Sequence, residues 1–276
     1  MVVEAIDAGN VRVDGRRARK GQPVAAGQLV LVRLGARDAT PAPEDGPPLQ
    51  VIHEDPSFVV VCKRSGEPTH PLVAGELGTL ANRIVARFPE CGGASPDPRE
   101  GGVAHRLDTP TSGLVVVARS RAAWESLRHQ FTAREVEKEY LALVAAEVAG
   151  ELEIDVPIGG VPGSPGRMRA LSPEGGWRLE KVREAHTRVE VEGRYPGWTL
   201  VRCVITTGVM HQIRVHLSHV GHPVAGDDRY GGPSPSGLRR LFLHAAVLGF
   251  HHPTTNEKVR FESALPSDLV TVLRGL

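Results

Sequence analysis

His105-Arg106-Leu107-Asp108-Thr109-Pro110-Thr111-Ser112-Gly113-Leu114 runs directly into Val115-Val116-Val117-Ala118, so that a polar loop feeds a strongly apolar strand. Upstream, Phe58-Val59-Val60-Val61 reads as a second buried strand, and Leu80, Ile84 and Phe88 recur at helical spacing within 79–88. Downstream, Ser120 is placed to cap a helix carrying Trp124, Leu127 and Phe131, and residues 138–144 resume a strand. Residues 159–176 are dense in Gly and Pro and read as a loop, followed by strands over 187–191 and 199–205 and a helix over 211–220. In that helix Ile213, Leu217 and Val220 share one stripe, which leaves His211, Arg214 and Ser218 on another face, available to a cleft. Strands interleaved with few long helices predict an α+β fold on a mixed, largely antiparallel sheet flanked by helices and loops.

The pattern divides the chain into three spans. Residues 1–35 hold a short strand, a turn, the basic run Arg16, Arg17, Arg19 and Lys20, and a further strand over 27–32. Residues 36–48 (ARDATPAPEDGPP) have no apolar period and read as a linker, which leaves 49–276 as the main domain. Lys and Arg number 33 against 32 Asp and Glu, a formal charge of +1, so any polyanion contact rests on local patches. Cys62, Cys91 and Cys203 are far apart and form no C-x-x-C pair, which argues against a zinc ribbon and a disulfide framework alike. Free thiols suit a reducing cytoplasm. No apolar stretch reaches membrane-spanning length, and Met1 to Ala5 lacks the basic-then-apolar layout of a secretory signal, so a cytoplasmic protein without membrane contact is expected, by default a monomer.

Taken alone, Asp108 reads as a turn-capping carboxylate and Arg106 as its solvated neighbour. The histidines crowded at 211, 216, 219 and 222 invite a metal reading, yet no carboxylate or thiolate stands beside them at diagnostic spacing, and no metal site is expected. A glycosidase needs two partnered carboxylates, and only Asp108 sits in a distinctive loop. The ten-residue stretch, however, resembles the H-R-L-D-x-x-T-S-G-L signature of the RluA-type pseudouridine synthases. The likeness continues in order through Cys62-Lys63-Arg64-Ser65-Gly66, His70-Pro71, Lys138-Glu139-Tyr140-Leu141-Ala142-Leu143, Pro157-Ile158-Gly159, His211-Gln212-Ile213-Arg214-Val215-His216-Leu217, residues 221–227, Tyr230-Gly231, Leu243-His244-Ala245 and His252-Pro253. Residues 1–35 resemble a truncated second half of the small RNA-binding module that often precedes such domains.

The resemblance implies isomerisation of uridine to pseudouridine in ribosomal or transfer RNA. It also implies Asp108 as nucleophile or base, Tyr140 packed on the target uracil, and Arg214 paired with the aspartate. The chemistry agrees: one ionised carboxylate suffices to begin the reaction, a nearby guanidinium keeps it ionised, and a tyrosine supplies a flat face and a hydroxyl. Contacts with RNA are expected from Arg106, His105, His211, Gln212, Lys63, Arg16 and Arg17. No cofactor is implied, since the reaction has no redox change and the chain has no glycine-rich phosphate loop. Two departures stand out: Lys63-Arg64 where the family usually has Lys-Pro, and Thr207-Gly208-Val209-Met210 where it usually has T-G-R followed by Thr or Ser. They frame the alternative, an RNA-binding protein on the same fold with weak or lost catalysis.

Overall fold

The computed structural model describes residues 6, 11–32, 39–172 and 178–276. The chain forms two compact units, 1–39 and 40–276. Within the first, β1 (Val11–Val13) pairs antiparallel with both β2 (Arg16–Arg17) and β3 (Val30–Val32). The turn between β1 and β2 is Asp14-Gly15, both with positive φ (48° and 79°), the residue pair that a two-residue hairpin favours. Val11, Val13 and Ala18 are its small buried cluster.

The second unit is built on a nine-stranded sheet. In chain order its elements are β4 (Gln50–Glu54), β5 (Phe58–Lys63), α1 (Leu80–Arg87), β6 (Ser112–Ala118), α2 (Arg121–Ala133), β7 (Glu137–Ala145) and β8 (Leu152–Asp155). There follow β9 (Ile158–Gly160), β10 (Met168–Ala170), β11 (Glu180–Arg183), β12 (His186–Tyr195), β13 (Trp198–Ile205), α3 (Gln212–His219), β14 (Leu243–His251), β15 (Lys258–Glu262) and α4 (Ser267–Arg274). The strand order is β4-β5-β6-β14-β7-β13-β12-β8, with β15 added to β14. Only β6 and β14 run parallel; the other pairs are antiparallel, as the interleaved pattern predicts. A separate small sheet, β10-β9-β11, lies within and just beyond residues 159–176, read above as loop; its three- and four-residue strands are too short to show a period. Residues 173–176 of that stretch, 36–38 of the expected linker and 9–10 of the first expected strand lie outside the described residues.

The apolar runs of β5 and β6 reflect burial on both faces. Val59, Val61, Val115 and Val117 pack against Leu80, Ile84 and Phe88 at α1, whereas Phe58, Val60, Leu114 and Val116 pack against Ala123 and Leu127 of α2. Thr79 closes a capping box with Asn82 at the start of α1, and Ser120 caps α2 through the amide of Ala123. Residues 40–48 lie along α1: Asn82 Nδ2 donates to the carbonyl of Ala42 at 2.9 Å and Arg83 Nη1 to that of Pro47 at 2.9 Å. On the other half of the sheet, Ala142, Val144, Val201 and Cys203 face Ile213 and Leu217 of α3, while Leu143 and Phe242 face Leu269 and Val272 of α4. The two halves join at β6, β14 and β7. Gly113 makes that junction possible, because its φ is +125° and a Cβ there would stand 2.3 Å from the carbonyl oxygen of Ala245 on β14. No helix among the described residues is long and apolar enough to cross a membrane.

Candidate active site

Asp108 sits in a loop fastened along its length. Ala104 N donates to Val116 O at 3.1 Å, and Thr69 Oγ1 bonds both the carbonyl and the amide of Leu107 (2.9 and 3.2 Å). Gly66 N donates to Thr109 O at 2.8 Å and Ser65 Oγ to Pro110 O at 2.7 Å. Lys63, expected to meet RNA, is wholly buried, and its ammonium donates to the carbonyls of Arg64, Glu67 and Thr109. A cation with all three donors spent on backbone reaches no phosphate, so Lys63 is a structural clamp on the Asp108 loop.

The loop brings Asp108 to a cleft of about 550 Å³. Arg214, on α3, donates from Nη1 to Asp108 Oδ2 at 3.1 Å. The rest of its fork is committed elsewhere: Nε and Nη2 donate to Asp227 Oδ2 and Oδ1 at 2.7 and 2.8 Å, with the Asp227 side chain 1% exposed. Asp227 therefore sets the plane of the guanidinium, and Arg214 presents its remaining corner to Asp108. The guanidinium carbon also lies 5.1 Å from the centre of the Tyr230 ring. Tyr140, on β7 opposite Ala245 and Cys203, lines the same cleft; burial, reinforced by the negative Asp108, raises its pKa, so its hydroxyl keeps its proton. The titratable side chains around the cleft include Arg106, Arg128, Lys138, Arg183 and Arg214 against the single carboxylate of Asp108. Net charge near zero for the whole chain thus conceals a strongly positive cleft.

The remaining expected contacts divide. Arg106 is exposed at the cleft mouth and His211 lines its wall. His105 stacks on Phe131 at 4.6 Å and its Nε2 accepts from Val116 N at 3.1 Å; burial pulls its pKa down to about 3, so the ring is a neutral wall element. Gln212, expected to contact RNA, is 3% exposed, and its amide bonds Thr207, Val209, His186 and Thr187; its hydrogen-bonding capacity is used in pinning the turn before α3. Arg16 and Arg17 are exposed on β2 of the first unit. Val209 packs on a cluster with Ile158, Ala170, Ala185 and Val215, which gives an apolar side chain a partner at that position.

A match to the RNA pseudouridylate synthase family model extends over residues 57–219. The chain is 34% identical to the ribosomal large subunit pseudouridine synthase D of Xanthomonas campestris pv. campestris, with 99% of this chain and 83% of the relative aligned. It is also 34% identical to the ribosomal large subunit pseudouridine synthase C of Escherichia coli K12, over 100% of this chain and 88% of the relative. The chain belongs to the RNA pseudouridylate synthase family. Among solved structures, human RNA pseudouridylate synthase domain containing 1 aligns with a TM-score of 0.63 and 31% identity, covering 81% of this chain and 86% of that one.

Sequence reasoning assigned no role in this pseudouridine synthase to Asp227, Tyr230 or Lys138. The glycines around Asp227 were the available signal. Gly226 has φ +74° and Gly231 +80°, and a Cβ on Gly232 would fall 1.8 Å from Val224 O; only a glycine-rich turn folds tightly enough to carry Asp227 onto Arg214. Lys138 is 8% exposed and donates to Thr207 O at 2.9 Å, and burial brings its pKa down to about 8.

Proposed function

We propose that this enzyme isomerises uridine to pseudouridine in the RNA of the large ribosomal subunit, with Asp108 as the attacking group and no cofactor. The observation that carries the reading is the Asp108–Arg214 pair at 3.1 Å, set in a positive cleft beside Tyr140. The substrate class follows from the names of relatives that align with nearly the whole chain.

The reaction breaks the bond from ribose C1′ to uracil N1, turns the base, and forms a bond from C1′ to C5; the C5 proton leaves and N1 gains one, so atoms balance without oxidant or reductant. An ionised Asp108 can begin it by adding to uracil C6 or by acting at the sugar to form a glycal, and in either route Arg214 holds the carboxylate by a charge-assisted hydrogen bond. Tyr140 offers the base a flat face, and its protonated hydroxyl supports the base without adding a charge. A stacked uridine must first leave its helix, at roughly a few kcal/mol. Phosphate contacts from Arg106 and the cations beside it offset that cost.

The test is tritium release from ribosomal and transfer RNA labelled at uracil C5. Wild-type protein in excess chelator is expected to release tritium from ribosomal RNA, while Asp108→Asn releases none and binds the RNA with nearly unchanged affinity. An active Asp108→Asn refutes its assignment as the attacking group; no release by wild type from any RNA favours a binding protein on this fold.

A further inference from the structure

The two oxygens of Asp108 stand in different surroundings. Oδ2 is approached by Arg214 Nη1 at 3.1 Å and by His211 Nε2 at 3.7 Å. Among the described residues the one buried side-chain polar atom without a partner is Glu100 Oε2, so Oδ1 of Asp108, which makes no hydrogen bond, is open to the cleft.

His211 is held with more constraint than a surface contact needs. It precedes α3 with φ 59°, a left-handed conformation uncommon for a residue with a Cβ, and its side chain caps nothing. Its Nδ1 lies 2.7 Å from the hydroxyl of Tyr230, and that hydroxyl accepts the backbone N–H of Met168 at 3.2 Å. Tyr230 is itself seated by Ser218, whose hydroxyl donates to the Tyr230 carbonyl at 2.8 Å. With the phenol oxygen already accepting from Met168, its proton finds its acceptor in His211 Nδ1, which places the imidazole proton on Nε2. A cationic ring would instead press a second donor on the same oxygen and leave the phenol proton without an acceptor. The charged groups facing the ring are Asp108 from the loop before β6, Arg214 on α3, and Asp227 and Arg229 from the turn that carries Tyr230; burial, with the two arginines, lowers the pKa of His211 and the two carboxylates oppose that. The Nε2 to Oδ2 distance is within about 1 Å of hydrogen-bond length, and such contacts commonly tighten when substrate fills a site.

We propose that His211, neutral with its proton on Nε2, is a positioning residue that joins Arg214 in holding Oδ2 of Asp108, so that Oδ1 is the oxygen presented to the substrate. The proposal rests on Asp108 being the attacking group. It departs from the expectation that His211 contacts RNA, and the difference is measurable: a positioning role moves kcat, an RNA contact moves KM.

Three substitutions separate the ring nitrogens. In His211→Gln the amide nitrogen lies near the place of Nε2, in His211→Asn near that of Nδ1, and His211→Ala removes both. With kcat and KM taken from tritium release, Ala and Asn are expected to lose about 10- to 100-fold in kcat, the scale of a hydrogen bond to a charged group, while Gln recovers most of the loss. KM stays within about 3-fold throughout. In parallel, ¹⁵N NMR of histidine-labelled wild type without RNA is expected to show His211 as the Nε2–H tautomer, and Tyr230→Phe to give a mixture. A loss confined to KM, equal kcat in the three variants, or an Nδ1–H tautomer in wild type overturns the proposal. Wild type that releases no tritium from any RNA refutes the isomerase reading and the proposal with it, whereas active wild type with equal variants refutes only the role of His211.

Discussion

Two carboxylates in this protein receive the same arginine fork at different depths, and the pair makes a controlled experiment. Arg214 donates through Nε and Nη2 to Asp227, and Arg240 donates through Nε and Nη2 to Asp268. The side chains of the first pair are 7% and 1% exposed, those of the second 16% and 58%. Removing one partner of a buried pair costs about 3–5 kcal/mol because it strands the other charge away from water. Asparagine at 227 keeps an acceptor for one of the two donors, so the lower end, about 3 kcal/mol, is the expectation for Asp227→Asn. In a unit of this size that lowers Tm by roughly 6–12 °C. Asp268→Asn removes the same geometry from a site open to water and costs less than about 1 kcal/mol, or a Tm change under roughly 4 °C. Thermal unfolding followed by circular dichroism reads both. Tritium release separates them further: Asp227→Asn loosens the corner of Arg214 that meets Asp108 and loses activity, while Asp268→Asn lies outside the cleft lining, leaves Arg240 its bond to Ser112, and is expected to keep most activity. Equal Tm shifts in the two variants, or full activity in Asp227→Asn, would refute the assignment of Asp227 as the group that orients Arg214.

Arg214→Lys is expected to lose about 100-fold or more in kcat/KM, since a single ammonium cannot hold Asp227 with two bonds and reach Asp108 with a third; steady-state kinetics check it. Gly113→Ala places a Cβ 2.3 Å from Ala245 O and 2.5 Å from its nitrogen at φ +125°, so a destabilisation above about 3 kcal/mol is expected in urea unfolding. His105 and His244 titrate at about 3 and about 4 in the folded chain because burial disfavours their charged forms. The unfolded chain binds those protons near pH 6.5, so stability from both groups is present above pH 6.5 and is lost as pH falls toward 4; each contributes about 2 kcal/mol of loss between pH 7 and 5. His244→Asn should flatten that decline by its share, and an unchanged pH slope in urea titrations refutes the attribution.

Much of the main unit was legible because its elements carry clean local signals. The capping residue Ser120, the helical repeat of Leu80 and Ile84, and the apolar runs of β5, β6, β7 and β13 are properties of short windows, and the structure places them where those windows predict. β14 was harder to place: Leu243 to Phe250 is buried throughout, His244 included, and a run buried on both faces has no period to separate strand from helix. β9 and β10 hid in a glycine-rich stretch because three residues cannot display an alternation. At the site, Asp108 taken alone read as a turn cap, and only the family resemblance paired it with Arg214, a contact the structure contains at 3.1 Å. Lys63 and Gln212 were misread as surface contacts because burial is decided by tertiary packing: a lysine at the end of an apolar strand looks the same in sequence whether its ammonium meets water or three carbonyls.

The position of the cleft follows from the one place where the sheet changes direction. Antiparallel neighbours can be joined by a tight hairpin, whereas a parallel pair requires the chain to leave the sheet and return through a longer crossover. Here β6 and β14 share only the register of Ser112 with His244 and Gly113 with Ala245 before β15 takes over that edge of β14. The cleft lies beside this short parallel contact, since Thr111 and Leu243, the residues just ahead of the shared register, line it. Asp108 enters from the loop ahead of β6, Tyr140 from β7 opposite Ala245, and Arg214 from the helix packed on β7 and β13. Asp108 thus stands on a loop fastened by hydrogen bonds, Tyr140 on a strand and Arg214 on a helix, and their spacing is set by the packing of those segments. That arrangement keeps the Asp108–Arg214 contact independent of any loop closing over it, and it explains why the atoms that fix the junction, the missing Cβ of Gly113 and the Ser112–His244 hydrogen bond at 2.9 Å, belong to the machinery of the site although neither lines it.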